Sequence, residues 1–153
     1  MIGRQFHYGT VDCYSLVRDY YREEFGIELP NVARPNDFWE HGIDLYGKHY
    51  AKAGFQLLDL LPHDWQRGDV VLMAIMSEVP NHAGVIVEPG KILHHLYGRL
   101  STIEDYKGIW RNTTVGVYRH KDVVLPVEET QQLDIRDVLS PTQRRLIDGL
   151  SAG

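Results

Sequence analysis

The sequence predicts an α+β fold in which a helix near the N-terminus precedes an antiparallel β-sheet. Apolar residues at helical spacing follow Asp12, and this pattern ends at Gly26. From residue 66 onwards, short β-prone runs alternate with turn-forming pairs such as Gly68-Asp69 and Pro89-Gly90. One helical segment followed by several strands with short turns is typical of a helix packed on an antiparallel sheet.

The length and composition indicate one globular domain. The chain has 153 residues, of which 43% are hydrophobic and 24% are charged, and these proportions are ordinary for a globular protein. The net charge of −5 argues against nucleic acid as a partner. A single cysteine excludes an internal disulfide framework.

The sequence also bears on membranes and export. No apolar stretch approaches the ~20 residues that a membrane helix requires. The first residues lack the apolar core of a signal peptide. We therefore expect a soluble protein with no membrane insertion and no export signal of its own.

The first predicted helix spans residues 12–25. Asp12 can cap it, because its carboxylate accepts the unpaired N–H groups of the first turn. Cys13 then lies in that first turn. The apolar residues that predict the helix are Leu16, Val17, Tyr20, Tyr21 and Phe25.

The stretch from residue 27 to residue 65 predicts a loop and then two short helices, at residues 37–41 and 45–51. Residues 55–61 fit a helix or a strand, because short apolar runs cannot be assigned by periodicity alone. Four aromatic residues of this stretch are interpreted as core or as one wall of a cleft: Phe38, Trp39, Tyr46 and Tyr50.

Four strands are predicted in the second half of the chain, at residues 70–74, 83–87, 91–97 and 114–119. Between the last two, Ser101 and Glu104 have the spacing of a capping box and predict the start of a helix.

The chain is predicted to divide near residue 120. Residues 1–120 form the expected domain, and residues 121–153 form a C-terminal tail with a short closing helix at residues 141–150. Pro141 suits the first position of that helix.

Cys13 is the candidate nucleophile. A thiolate is the attacking species, and a free thiol with a pKa near ~8.5 is mostly protonated at neutral pH. A helix N-terminus lowers a thiol pKa through its unpaired N–H groups and its partial positive charge. A histidine can take the proton while a third group orients that histidine. His82, His94 and His95 supply such groups, so the sequence predicts a cysteine hydrolase.

These segments together resemble the NlpC/P60 family of cysteine peptidases, which have a papain-like core. The matching pieces are Asp12-Cys13, residues 67–71, residues 82–85 and His94, in that order. Residues 3–10 are similar to the branch of the family found in phage tail-assembly proteins. The resemblance implies a papain-like fold with its catalytic helix packed on the sheet. It also implies Cys13 as nucleophile, His82 as general base and His94 as the orienting residue.

The resemblance further implies a function. The family commonly hydrolyses the peptide stems of bacterial peptidoglycan, and its phage members act in tail-tip assembly or in local opening of the cell wall. We therefore expect a cysteine endopeptidase that acts on a peptidoglycan stem peptide or a tail protein, contacts other phage tail proteins and needs no cofactor. It would be made in the host cytoplasm and carried in the phage tail. The alternative is a structural tail-tip or assembly protein whose site is vestigial or works only during maturation.

Two features depart from the family pattern. Phe6 stands where many members carry an oxyanion-binding tyrosine, so this role falls to Tyr8 or to the backbone N–H of Cys13. The segment between Cys13 and His82 is longer than in bacterial cell-wall enzymes, and it shapes the cleft, so no substrate preference is carried over. A zinc site is not predicted, because Cys13, His82 and His94 lack a fourth ligand at telling spacing.

The spacing leaves His94 and His95 open as the third residue. Side chains alternate along a strand, so only one of them can share a face with His82. A two-residue loop at residues 89–90 would place His95 opposite Gly84. A three-residue loop or a bulge would place His94 there instead. The family resemblance favours His94.

Overall fold

The computed structural model of the protein describes residues 1–31, 45–59 and 64–126. The elements in this part of the chain are α1 (Cys13–Phe25), α2 (Leu45–Lys52), β1 (Phe55–Leu57), β2 (Val70–Met73), β3 (His82–Glu88), β4 (Lys91–His94), β5 (Thr102–Asp105), α3 (Ile109–Asn112) and β6 (Thr114–His120). The helices predicted at residues 37–41 and 141–150 lie outside the described residues, as does most of the predicted tail.

The six strands form one antiparallel sheet in the order β1-β6-β2-β3-β4-β5. The helix α1 packs against β3 and, less extensively, against β4. The prediction of an α+β fold with an N-terminal helix packed on an antiparallel sheet is confirmed.

The ends of α1 agree with the predicted ones. Gly26 follows the last helical residue in the left-handed conformation, with φ of 66°. Its N–H donates to the carbonyl of Arg22 at 3.1 Å, which satisfies one of the carbonyls left unpaired at the end of the helix. Glycine reaches positive φ at no steric cost, and this explains why the helix stops there.

The structure resolves one open assignment and shortens one predicted strand. Residues 55–61 fit a helix or a strand by their sequence, and the chain forms strand β1 at their beginning. The third predicted strand, at residues 91–97, is shorter in the structure, since β4 ends at His94. The chain turns just beyond this point at Gly98, which has φ of 77°.

The prediction of a helix start at Ser101 and Glu104 is wrong, because this segment forms strand β5. The Ser101 hydroxyl accepts a hydrogen bond from the backbone N–H of Arg4 at 2.8 Å and donates to the carbonyl of Met1. It therefore ties down the N-terminal segment rather than capping a helix. Pairing with β4 satisfies the backbone groups on one side of β5, and this non-local contact outweighs the local capping pattern.

The sheet separates two groups of buried apolar side chains. The group on the α1 side includes, from the sheet, Val70, Leu72, Ala83, Val85 and Leu93. The group on the other side consists of Val71, Met73, Ile86, Ile92, Tyr106, Trp110 and Val117. Alternate strand residues enter opposite groups, as the two-residue period of a strand requires. His82, Gly84 and His94 alternate with Ala83 and Leu93, so their side chains share one face of the β3–β4 pair. His82 and His94 lie at the end of this pair, as the first residue of β3 and the last residue of β4.

A buried carboxylate links the start of β2 to β6. Asp69 is 1% exposed, and its two oxygens accept hydrogen bonds from Nε and Nη2 of Arg119, each at 2.9 Å. The backbone N–H of Gln66 donates to the same carboxylate at 2.9 Å. Burial raises the pKa of Asp69, and the hydrogen bonds from Arg119 and Gln66 oppose that rise. The pair fixes the turn that leads into β2.

Removing the guanidinium from this pair should destabilise the fold. Arg119→Ala leaves a buried carboxylate without its partner, and we expect the free energy of unfolding to fall by about 3–5 kcal/mol. Urea denaturation followed by tryptophan fluorescence measures the change. Arg111→Ala, which removes an exposed arginine from α3, is the control and should stay within about 0.5 kcal/mol of the wild type. Equal effects of the two substitutions would contradict the structural role of Arg119.

Candidate functional site

Cys13 is the first residue of α1, and a reciprocal cap fixes the backbone just before it. The Asp12 carboxylate accepts the N–H of Ser15 at 2.9 Å, and the Ser15 hydroxyl accepts the N–H of Asp12 at 2.7 Å. The second Asp12 oxygen accepts the N–H of Gly9 at 3.1 Å. The predicted capping role of Asp12 is confirmed. The cap places the thiol beside the N–H groups of the first helical turn, where a thiolate is favoured.

The pairing of β3 with β4 decides which of the two adjacent histidines, His94 or His95, shares a face with His82. Glu88 pairs with Lys91, as a two-residue loop requires, but the register then shifts by one residue between Ile86 and Glu88. This irregularity is the bulge considered above, and it places His94 opposite Gly84.

The structure therefore puts the side chains of His82 and His94 on one face of the sheet. Nε2 of His82 lies 2.9 Å from Nδ1 of His94, which is hydrogen-bonding distance for two ring nitrogens. Both side chains are buried, at 3% and 1% exposure. This contact joins two of the three residues singled out from the sequence.

His95 is the first residue after β4, and its side chain lies beside the N-terminal segment. Its ring meets the edge of Phe6 with centroids 5.1 Å apart, and it is fully buried. Burial lowers the pKa of His95, while the backbone of Arg99, the Asp12 carboxylate and the backbone of Arg4 act in the opposite direction. His95 is therefore a buried neighbour of the α1 N-terminus and has no contact with His82 comparable to that of His94 in the described residues.

Cys13 lies on the element that packs against the two histidine strands. The helix that it begins packs against β3 and β4, and Cys13 belongs to the same buried cluster as Ala83, the residue after His82. The structure thus brings His82 and His94 into direct contact and packs the helix that begins at Cys13 on their strands.

Glu104 contacts His94 through the ring nitrogen that does not face His82. Its Oε2 lies 3.1 Å from Nε2 of His94, and its Oε1 accepts the indole N–H of Trp110 at 2.6 Å. Arg99 reaches Oε2 at 3.2 Å. The Trp110 ring also meets His94 edge to face, with centroids 4.6 Å apart. The carboxylate is therefore held from three sides.

The surroundings of His82, His94 and Glu104 favour neutral histidines and an ionised glutamate. Burial is the main cause that lowers the pKa of His82 well below its ordinary value, and nearby His94, His95 and Arg99 lower it further. Burial also lowers the pKa of His94, although Glu104 opposes the shift. Burial raises the pKa of Glu104, but hydrogen bonds from His94 and Trp110 and the charge of Arg99 outweigh it and leave that pKa below its ordinary value.

Tyr8 lies in the tight loop that leads into α1. The backbone of His7 exchanges two hydrogen bonds with that of Val11, at 2.7 and 2.9 Å, and encloses Tyr8. The Tyr8 ring stacks on Tyr97 and meets Phe6 edge to face, each with centroids 5.1 Å apart. Its position near the start of α1 is compatible with the predicted oxyanion role, which stays a prediction.

Gly84 lies two residues after His82 and opposite His94, and a side chain there would have to displace Ile92 and His94. A Cβ atom there would lie 2.5 Å from Cδ1 and 2.7 Å from Cγ1 of Ile92, and 3.1 Å from Cβ of His94. The sequence Asn81-His82-Ala83-Gly84 is therefore explained by close packing of β3 on β4 as well as by chemistry.

Sequence reasoning missed Glu104 and Trp110 as neighbours of the site. Their signal was available in the strand pattern, because the turn at Gly98 allows a hairpin between residues 91–94 and the segment that follows. In that hairpin Glu104 pairs with Ile92 and so shares the face of His94. The capping-box spacing of Ser101 and Glu104 favoured a helix at this segment, so the hairpin was not predicted.

The described residues contain no group of three or more His, Cys, Asp and Glu side chains arranged to hold a metal ion. None of their helices combines the length and the apolarity needed to cross a membrane.

Comparison with known proteins identifies similar chains. The sequence matches the NlpC/P60 family over residues 3–119. It is 37% identical over 125 residues to tail tip assembly protein K of Escherichia phage N15 and 38% identical over 121 residues to the protein of the same name from Escherichia phage lambda. These alignments cover 80% and 79% of this chain but 50% and 59% of the relatives, so the chain spans little more than half their length.

A solved structure shares the fold. It is an NLP/P60-family protein from Staphylococcus aureus, described as similar to lipoprotein, with a TM-score of 0.54 over 78% of this chain and 37% of that chain. The two sequences are 17% identical in the superposition, so this likeness concerns the fold alone.

Filling the space at Gly84 should separate the two histidine strands. Gly84→Ala forces Ile92 and His94 to move, and we expect a loss of about 1–3 kcal/mol in the free energy of unfolding. Denaturation of Gly84→Ala, Ile92→Ala and the double variant tests the cause, since the double variant should be less destabilised than the sum of the singles. Gly116→Ala, whose new Cβ meets its nearest atoms only at 3.2–3.3 Å, is the control. Additive losses would contradict the clash.

Acid should destabilise the fold through the buried histidines. Below pH 6.5 the unfolded chain protonates His82 and His94, whereas burial keeps their pKa values lower in the folded protein. The unfolded state then binds more protons, so the free energy of unfolding falls as the pH drops below 6.5, by at most about 1.4 kcal/mol per pH unit for each histidine. Urea denaturation between pH 7.5 and pH 5 measures the slope. His82→Gln should make it shallower and exposed-site His7→Gln should not; identical slopes would refute the assignment.

Proposed function

The chain belongs to the NlpC/P60 family, and from this premise we propose that it is a cysteine endopeptidase that hydrolyses peptide stems of bacterial peptidoglycan as a component of a phage tail. The observation that carries the proposal is the 2.9 Å contact between His82 and His94 on strands packed against the helix that begins at Cys13. This arrangement supports the proposal, because thiol-based amide hydrolysis needs a nucleophile, a base and an orienting partner.

The proposed reaction begins with proton transfer from the Cys13 thiol, at the start of α1, to His82, the first residue of β3, and it requires the two side chains to meet at the end of that strand. The thiolate attacks the carbonyl carbon of the scissile amide and forms a tetrahedral oxyanion, which the backbone N–H of Cys13 and the Tyr8 hydroxyl stabilise. The oxyanion collapses, the C–N bond breaks and the His82 imidazolium gives its proton to the leaving amine. Water, deprotonated by His82, then attacks the thioester and releases the acid product and the thiol.

His94 is proposed to orient His82 throughout this cycle. Its Nδ1 holds Nε2 of His82, which leaves Nδ1 of His82 as the ring nitrogen available to the thiol. Both rings are buried, so their orientation is fixed by packing as well as by the contact. Fixed orientation of the base contributes to rate because it removes the entropy of positioning from the reaction step.

The phage-tail part of the proposal is supported by the names of the relatives. Two proteins called tail tip assembly protein K align with four-fifths of this chain. We infer that this protein contacts other tail proteins and travels with the virion, which would carry it to the cell wall. The same names favour one alternative, a structural role in tail-tip assembly in which the site is vestigial or cleaves a tail protein during maturation.

Digestion of purified peptidoglycan tests the activity directly. Wild type should release fragments whose masses identify the bond, and Cys13→Ala should release none because it lacks the nucleophile. His82→Ala should reduce the rate by about 10²–10⁴-fold, the usual contribution of a general base. His7→Ala, which removes an exposed histidine, is the control and should match wild type.

Alkylation of the thiol separates the alternatives when no fragment is released. Cys13 is the only cysteine, so every modification by iodoacetamide reports on it. A thiol that reacts faster than free cysteine below pH 8 would indicate a working site with a protein substrate in the tail. An unreactive thiol together with undigested peptidoglycan would contradict the hydrolase proposal and support the structural role.

A further inference from the structure

We propose that Glu104 is a positioning residue that sets the hydrogen positions on both histidines and thereby leaves Nδ1 of His82 able to accept the thiol proton. The inference rests on the proposed function and deepens it. It is carried by a line of contacts that runs from Nε2 of His82 to Nδ1 of His94 and from Nε2 of His94 to Oε2 of Glu104.

The direction of this line follows from counting donors and acceptors. A neutral imidazole has one N–H and one acceptor nitrogen, and an ionised carboxylate only accepts. Next to Glu104, the favoured position for the His94 proton is therefore Nε2. Nδ1 of His94 is then an acceptor, so the nitrogen that faces it, Nε2 of His82, carries the second proton. Nδ1 of His82 keeps its lone pair.

The opposite arrangement of the two ring protons would leave His82 unable to act as a base at Nδ1. With the His94 proton on Nδ1, Nε2 of His82 must accept, and the His82 proton moves to Nδ1. A ring with its proton on that nitrogen cannot take another from the thiol there. The contact between the two rings is satisfied in either arrangement, whereas a carboxylate at one end stabilises the first through a charge-assisted hydrogen bond.

The surroundings of Glu104 keep the carboxylate ionised and in place. The indole N–H of Trp110 occupies Oε1 at 2.6 Å, and Arg99 lies 3.2 Å from Oε2. The register of β5 puts Glu104 opposite Ile92, on the face of His94. The N–H direction of His94 is off the line to Oε2 at the observed separation of 3.1 Å, and such contacts commonly straighten when substrate binds.

The first test is Glu104→Gln, which keeps the shape and removes the charge. Trp110 and His94 both need an acceptor, and the new side chain has one oxygen and one NH₂ group. If the oxygen serves Trp110, the amide nitrogen faces His94 and favours the reversed proton arrangement. We expect the rate of Cys13 alkylation near pH 6.5 to fall by about 10–100-fold, by analogy with the loss of the carboxylate that orients a metal-binding histidine. Folding is checked by circular dichroism.

Asp105→Asn is the matched control. Asp105 is the next residue on the same strand, and its carboxylate pairs with Lys91 and Lys107 at the surface. The substitution removes the same charge from β5 without touching the line of contacts. Its alkylation profile should equal that of wild type. An equal loss in both variants would overturn the inference, because it would assign the effect to the net charge of the strand.

A second measurement needs neither activity nor a variant. Long-range ¹⁵N–¹H NMR spectra of the histidine rings identify which nitrogen bears the proton. The inference expects the Nε2–H form for both His82 and His94 in wild type at pH 7.5. The Nδ1–H form of His82 would overturn it even if Glu104→Gln failed to fold.

The two proposals fail in different ways. An unreactive wild-type thiol contradicts the hydrolase function, and the NMR result alone then decides the role of Glu104. A reactive thiol whose pH profile and ring spectra are unchanged in Glu104→Gln overturns the role of Glu104 and leaves the hydrolase function standing.

Discussion

The one-residue shift in register between β3 and β4 determines what the rest of the site can be. Without the irregularity between Ile86 and Glu88, the histidine opposite Gly84 would be His95. His95 lies instead among the groups around the start of α1, and His94 takes the place beside His82. The chemistry on one face therefore depends on a backbone feature near the hairpin turn, which carries no functional side chain.

Two groups of polar side chains, one at Asp69 and one around His82, are buried in different charge states. At the start of β2, Asp69 is buried as one half of an ion pair, and Arg119 supplies the charge that makes its burial tolerable. Around His82 the polar groups are buried mostly as neutral rings, because desolvation works against their protonation. The first group holds strands together. In the second, a neutral ring can carry its hydrogen on either nitrogen, so its neighbours decide which nitrogen can accept a hydrogen bond.

The sequence was sufficient for the parts of the fold that depend on local chemistry. Asp12 and Gly26 mark the ends of α1 because capping and left-handed backbone are properties of single residues. The choice between His94 and His95 was not available from spacing, because a bulge shifts the face by one residue and leaves no clear mark in the sequence. Glu104 was assigned to a helix because the capping pattern is local, whereas its pairing with β4 is not.

The position of β5 as an outer strand of the described sheet has a consequence for how the site behaves in time. Outer strands open by local unfolding at a lower free energy than the centre of a sheet, because fewer backbone hydrogen bonds and contacts must break. Glu104 belongs to this strand, whereas His82 belongs to an inner strand covered by α1. Fraying of β5 can therefore withdraw the carboxylate from His94 while Cys13 and His82 stay folded. β5, an outer strand that opens readily, is therefore also the strand that carries the carboxylate next to His94.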